Sequence, residues 1–259
     1  MSRDLLKRLF GRAPEVSAPS LPAGLRVYAI GDVHGRHDRL CAVEAAIRAD
    51  VAAGPPPGEA LVIFIGDYID RGPDSRAVIE ALLDRRFAGL PTRCLMGNHE
   101  DAMLQFLESA AIGPAWFDYG GMATLASYGV KPAGPESDDR IERLRHGLVA
   151  ALPDAHRRFL QDLEVSIELG DYIFVHAGIR PSRALDQQQR NDLLTIREPF
   201  LSHAKPFGRR VVHGHTVTDR PVFRQNRIGI DTGAYATGNL TCLRIEGEDA
   251  RILPVGELV

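Results

Sequence analysis

The stretch ALVIFIGDYIDRG, residues 60–72, decides how the rest of the chain is read. Residues 60–65 form an unbroken apolar run, the composition of a strand buried on both faces. Gly66 ends the run, and Asp67, Asp70 and Arg71 then place three charges on the tip of what reads as hydrophobic core. A charge there needs a partner or a ligand.

Working outward, LRVYAIG (25–31) and TRCLMG (92–97) repeat the form of an apolar run closed by glycine. Between the first two runs, Leu40, Val43, Ile47 and Val51 recur at helical spacing, and AAGPPPGE (52–59) closes that element. After the second run, Pro73 and Asp74 read as a first helical turn, with Val78, Ile79, Leu82 and Leu83 on one face. Strand, helix, strand, helix, strand predicts a parallel βαβαβ unit with right-handed crossovers. Residues 101–164 read as mainly helical, broken by YGG (119–121) and KPAGPE (131–136), and are expected to form a helical cap beside the sheet. From VSIEL (165–169) to ARILPV (250–255) short β-like runs return, with the flavour of hairpins in a second sheet.

The bulk properties fit a sizeable α/β core. The chain has 259 residues, 44 % hydrophobic and 25 % charged, with net charge −3, so no basic field points to nucleic acid or anionic lipid. Cys41, Cys94 and Cys242 lie far apart with no CxxC pair. That speaks against a disulfide framework and a thiolate zinc site, and a reducing cytoplasm is expected. No apolar run approaches the ~20 residues of a membrane span. Arg3, Lys7, Arg8 and Arg12 alternate with Leu5, Leu6, Leu9 and Phe10, and Pro, Ser and Ala dominate up to Gly24. Residues 1–24 are therefore expected as a flexible tail before a catalytic domain over 25–259.

Three glycine-led clusters follow the three strands: Asp32 and His34 in GDVHG, Asp67, Asp70 and Arg71 in GDYIDRG, Asn98 and His99 in GNHE. Downstream, His176 follows a β-like run in FVHAG, and His213 and His215 follow another in VVHGH. The carboxyl ends of parallel strands are where open α/β sheets bind ligands. Carboxylate, imidazole and amide oxygen are the donor set for Mn, Fe or Zn rather than for calcium or structural zinc. So many donors exceed the needs of one ion, and a two-metal site with ions roughly 3.5–4 Å apart is the economical reading.

At these residues the sequence resembles the calcineurin-like metallophosphoesterases, in particular the bacterial members of the phosphoprotein phosphatase branch. GDxHG, GDxxDRG, GNHE, HAG and a final GH occur here in that order. The resemblance implies a two-sheet α/β sandwich flanked by helices, and a dinuclear site that hydrolyses phosphate esters by direct attack of a metal-bridging hydroxide. It assigns Asp32 and His34 to the first metal, Asp67 to both, and Asn98, His176 and His215 to the second. His99 becomes the general acid, Asp70 its orienting carboxylate, and Arg71 the phosphate clamp. One position departs: where the serine/threonine phosphatases carry a second clamping arginine before GNHE, this chain has Met96. Arg197, in LLTIREPFL, is the candidate replacement, although Thr195 stands where related bacterial sequences have tryptophan.

The remaining polar residues have plainer readings. His213 lines the site or sits in its strand. His37, His146, His156 and His203 are expected on the surface, Asp38 at a helix start, and Arg36 as a solvated arginine. Asp231 supports the site or belongs to a turn. Tyr68 packs beside the site, and Trp116 and Phe117 form cap core or an aromatic wall. The expected activity is a manganese-supported phosphomonoesterase acting on phosphorylated protein or peptide, or on a small phosphoester. The alternative is a diadenosine tetraphosphate hydrolase, whose second block departs from the full DRG seen here. A non-catalytic binding module would lack a ligand or the acid, and none is missing.

Overall fold

A computed structural model describes residues 18–131 and 139–256 of the chain. The basic, leucine-bearing start and the proline-containing break at 132–136 lie outside the described residues. The three apolar runs become β1 (Leu25–Ile30), β2 (Glu59–Phe64) and β4 (Leu90–Cys94), parallel neighbours at the centre of one sheet. Ile30 pairs with Phe64 and Phe64 with Cys94, so the three tips end level. The helices His37–Ala53 and Ser75–Leu82 make the crossovers. A short edge strand, β3 (Arg86–Phe87), folds back antiparallel on β4.

The second sheet contains β5 (Ser166–Leu169), β6 (Tyr172–Val175), β7 (Arg210–His213), β8 (Val222–Phe223) and β9 (Arg227–Gly229), in the order β5-β6-β7-β9-β8. The hairpin expectation holds for β5–β6 and β8–β9 but fails at the centre, where β6, β7 and β9 are parallel. The chain between β6 and β7 carries the helix Arg190–Thr195 and is long enough to return the next strand in the same direction. A second expectation fails at the C-terminus. The strands β10 (Cys242–Glu246) and β11 (Asp249–Ile252) join the first sheet, giving β11-β10-β1-β2-β4-β3. Pairing with β10 leaves β1 with no open edge. Arg26 of β1 and Arg244 of β10 fix that seam through shared ion pairs to Asp50 and Glu246.

Alternation along β1 and β2 divides the core. Val27, Ala29, Ile63 and Ile65 pack against Ile167, Phe174, Val212 and Ile228 between the sheets. Tyr28, Ile30, Val62 and Phe64 face the helices on the other side. There the helical segment, which includes Asn98–Glu108, Gly113–Asp118, Gly121–Ser127, Asp139–Ala151 and Asp154–Gln161, supplies Trp116, Leu125, Leu144 and Phe159 to the same core. His156 is buried, not on the surface, and shares a 2.8 Å hydrogen bond with the Tyr128 hydroxyl. Residues 18–24, expected within the tail, run along the domain. Leu21 enters the core between the sheets and its N–H reaches Gly247 O at 3.0 Å. Among the described residues no helix is long and apolar enough to cross a membrane.

Candidate active site and metal centre

The tips of both parallel triplets open toward one crevice: the sheets share a core, and His176 and His215 of the second meet Ile65, Asn98 and Asp32 of the first. Asp67 is at its middle. Its Oδ2 lies 3.6 Å from His34 Nε2, 3.8 Å from His99 Nε2 and 3.4 Å from His176 Nε2. His34, Asp67 and His99 offer donor atoms within 4.8 Å of one another, and so do Asp67, His176 and His215. Asn98 Oδ1 is 3.0 Å from His176 Nε2, and Asp32 Oδ2 accepts the His215 N–H at 2.9 Å. Two groups thus share one carboxylate, the first completed by histidines that follow β1 and β4, the second by histidines that follow β6 and β7.

Backbone geometry is bent to hold these side chains. His34, Asp67, Asp70, Arg71 and His215 all have positive φ, between 43° and 70°, a region that non-glycine residues occupy at a cost. Glycine is required where chain segments touch. A Cβ on Gly97 would overlap Asp67 Oδ1, and one on Gly214 would overlap Asp32 Oδ1. His34 and His176 are oriented through Nδ1, which lies 2.8 Å from Ile69 O and 3.1 Å from Ile65 O respectively. That leaves each Nε2 facing the crevice.

Beneath the cluster is a buried polar layer. Asp70 Oδ2 takes the His99 ring at 2.6 Å and the Trp116 indole N–H at 2.8 Å, and Oδ1 accepts from the Thr124 hydroxyl at 2.6 Å. The Asp70 N–H donates to Ser75 Oγ and Thr124 Oγ1. Glu100, wholly buried, accepts the backbone N–H groups of Asp67, Tyr68, Ile69 and Gly97. It therefore shapes the loop that presents Asp67. The sequence assigns Glu100 and Thr124 no part, and Trp116 is expected there as cap core or an aromatic wall. The GNHE block contains Glu100, but only the fold shows which amides it receives.

An arginine lies beside each donor group. The Arg71 guanidinium is 3.0 Å from His34 Nε2 and 3.2 Å from His99 Nε2, while Arg197 donates to His215 O at 3.4 Å. Met96 is buried, and the arginine that lies on its sulfur is Arg190, which also pairs with Asp101 at 2.6 Å. Asp231 is buried beside Asp32 and ties its own turn through the Gly233 N–H at 2.9 Å. Both readings of Asp231 hold together. His213 stays in its strand, bonded to Gly214 O and edge-on to the Phe200 ring. Arg36 is not solvated: it bridges Asp38 and Ala234 O.

Electrostatically the cluster is frustrated without cations. Burial, then Asp231 and Asp67, hold Asp32 well above the usual carboxylate range, and burial pushes Asp67 up to about 6. Burial holds His34 and His176 well below the ordinary imidazole value, and burial with Arg197 takes His215 down to about 3. His99 differs: burial works against its charge, but the Asp67 and Asp70 carboxylates prevail and its pKa is raised. Asp32 Oδ1 and His215 Nε2 are buried with no hydrogen-bond partner among the described residues. Neutral imidazoles, crowded carboxylates and two orphaned acceptors fit divalent cations.

Residues 25–236 match the family model of the calcineurin-like phosphoesterases. A Geobacillus thermodenitrificans protein named bis(5'-nucleosyl)-tetraphosphatase PrpE (asymmetrical) is 27 % identical over 234 residues, covering 83 % of this chain and 88 % of the relative. A Bacillus velezensis protein of the same name is 26 % identical over 231 residues, covering 83 % and 87 %. Among solved structures, a candidate diadenosine tetraphosphatase superposes with TM-score 0.60 at 20 % identity, covering 93 % of this chain and 96 % of its own. A cold-active protein tyrosine phosphatase gives 0.53 at 17 %, covering 90 % and 81 %. At such identities the structures speak to the fold alone.

Proposed function

The chain belongs to the calcineurin-like phosphoesterase family, and from that premise we propose that it hydrolyses the phosphoanhydride chain of nucleoside polyphosphates, dinucleoside tetraphosphates foremost. This reverses the order of the two enzymatic readings taken from the sequence. The observation that carries it is the name shared by relatives aligned over 83 % of the chain. The geometry is consistent with it: Arg71 lies against the first donor group and Arg197 against the second, so positive charge is available to more than one phosphate.

Asp32, His34 and Asp67 would hold one divalent cation, and Asp67, Asn98, His176 and His215 the other. Such cations supply Lewis-acid charge and lower the pKa of coordinated water. The chain's own groups do the rest. Arg71 grips the phosphoryl oxygens and sets the line of attack. His99, with Nδ1 engaged by Asp70, presents Nε2 to the leaving oxygen and donates the proton there. Asp70 holds the ring, and its other contacts to Trp116 and Thr124 stop it turning away. This braced acid also supports a second reading, phosphomonoester hydrolysis, because an alkoxide or phenoxide leaving group needs that proton more than a phosphate does.

The test is direct. Purified protein supplied with Mn²⁺ is offered diadenosine tetraphosphate, a phosphotyrosine peptide and a phosphothreonine peptide. The expected result is a kcat/KM at least tenfold higher on the dinucleotide. Faster release from either peptide would restore the phosphoprotein reading as the principal one.

A further inference from the structure

Five large apolar or aromatic side chains among the described residues are exposed, and three of them lie near the site: Tyr119 at the end of Gly113–Asp118, Val217 two residues after His215, and Tyr235 in the turn Ala234–Thr237. Solvated aromatic rings beside a highly charged crevice call for an explanation. The two tyrosines stand on either side of the phosphate grip. The Tyr235 ring is edge-on to His34 at 5.4 Å between centroids and lies under the Arg71 guanidinium at 4.6 Å. The Tyr119 ring is 5.9 Å from that of His99. His34 and His99 touch edge to face at 4.7 Å, so the four rings make a continuous row with Arg71 over its middle.

Neither tyrosine is on a loosely attached loop. Gly120, with φ of 104°, accepts the Arg71 N–H at 3.3 Å, and a Cβ there would meet the Arg71 backbone. Tyr119 is therefore set at a fixed distance from the phosphate grip. Tyr235 belongs to a single helical turn, Ala234–Thr237, which Arg36 anchors through Ala234 O at 2.8 Å. Val217 packs on Gly233 below it. Neither tyrosine hydroxyl makes a hydrogen bond among the described residues, so what each ring offers is a face.

We infer that Tyr119 and Tyr235 are specificity-determining residues that stack the nucleobase of the substrate whose phosphates Arg71 holds. Stacking on tyrosine tolerates any base, because each has a π-face, and a ring next to the phosphate grip meets the group one sugar away. This rests on the nucleoside-polyphosphate reading.

The experiment compares the Mn²⁺-loaded wild type with Tyr119→Ala, Tyr235→Ala and their phenylalanine counterparts. Two ligands are used: diadenosine tetraphosphate as substrate, and inorganic tripolyphosphate, which has no base, as competitive inhibitor. Each alanine variant is expected to lose about tenfold or more in kcat/KM on the dinucleotide, mainly through KM. Its tripolyphosphate inhibition constant is expected to stay within threefold, and phenylalanine to restore the wild-type KM. Equal weakening toward both ligands would make the tyrosines supports for Arg71 and His99 and overturn the stacking role, as would no change on either. A wild type that ignores the dinucleotide yet hydrolyses a phosphopeptide removes the underlying reading, and the stacking role with it. The wild-type arm thus separates the two failures.

Discussion

The two halves of the crevice are built differently although each hangs from a parallel strand triplet. The β1-β2-β4 half is prepared in advance. Asp70 and Glu100 are saturated with hydrogen bonds, and four residues there accept positive φ. The β6-β7-β9 half is spare. His176 bonds Ile65 O and Asn98 and lies 3.4 Å from Asp67 Oδ2, His215 leaves its Nε2 unpartnered, and among the described non-glycine residues of this half only His215 has positive φ. Buried polar networks give rigidity only when complete. On the proposed reading the first half, apart from the unpartnered Asp32 Oδ1, positions the chemistry, whereas the second contributes donors that a cation would partner.

The largest expected effect probes the prepared half. His99→Asn keeps the fold and metal stoichiometry but lowers kcat by roughly 10²–10⁴ on an alkyl phosphate, the usual contribution of a positioned acid. The loss shrinks for an aryl phosphate or an anhydride, whose leaving groups need less protonation. An equal loss across leaving groups, read from steady-state rates with metal content checked, would remove His99 from the acid role.

A smaller effect tests the asymmetry itself. Glu100→Gln replaces one carboxylate oxygen among four backbone donors with an amide that also donates, and should destabilise the metal-free protein by about 2–3 kcal/mol. His215→Asn removes a partly buried imidazole with an orphaned nitrogen and should leave metal-free stability within about 0.5 kcal/mol, while lowering metal affinity about 10–100-fold. Denaturant unfolding in chelator and metal titration read both. Similar destabilisation by the two variants would break the comparison. The mildest change expected is in Arg197→Ala, a rise in KM of about tenfold or less for a polyphosphate. Arg71→Ala should cost more, since Arg71 reaches two imidazoles and Arg197 one carbonyl. The reverse order would relocate the main phosphate grip.

How much of this was legible in sequence follows from the range of each interaction. The tips of β1, β2 and β4 could be read because apolar run, glycine and charge are neighbours in the chain. The place of Asp67 in both donor groups comes from the family resemblance rather than from that pattern. The bracing of Asp70 was not legible: Trp116 and Thr124 come from helices 46 and 54 residues away, and nothing local distinguishes that indole from ordinary core. Arg190 beside Met96 was missed for the same reason, and Arg197 was found only through a resemblance in its surroundings. Strand direction in the second sheet and the return of β10 to the first depend on crossover geometry, which short β-rich runs do not encode. Tyr119 stood in a segment read as a helix break, where exposure is invisible.

The pairing of β10 with β1 also governs when the site can exist. On a growing chain, β1 and its loop emerge early, yet the strand that closes β1's edge begins at Cys242, and Asp32 meets its backbone partner at His215, 183 residues later. Such long-range closure delays folding until most of the contacts are available. The first donor group draws on residues 34–99, whereas the second also needs His176 and His215. The second is therefore complete only once the chain has passed β7 of the second sheet.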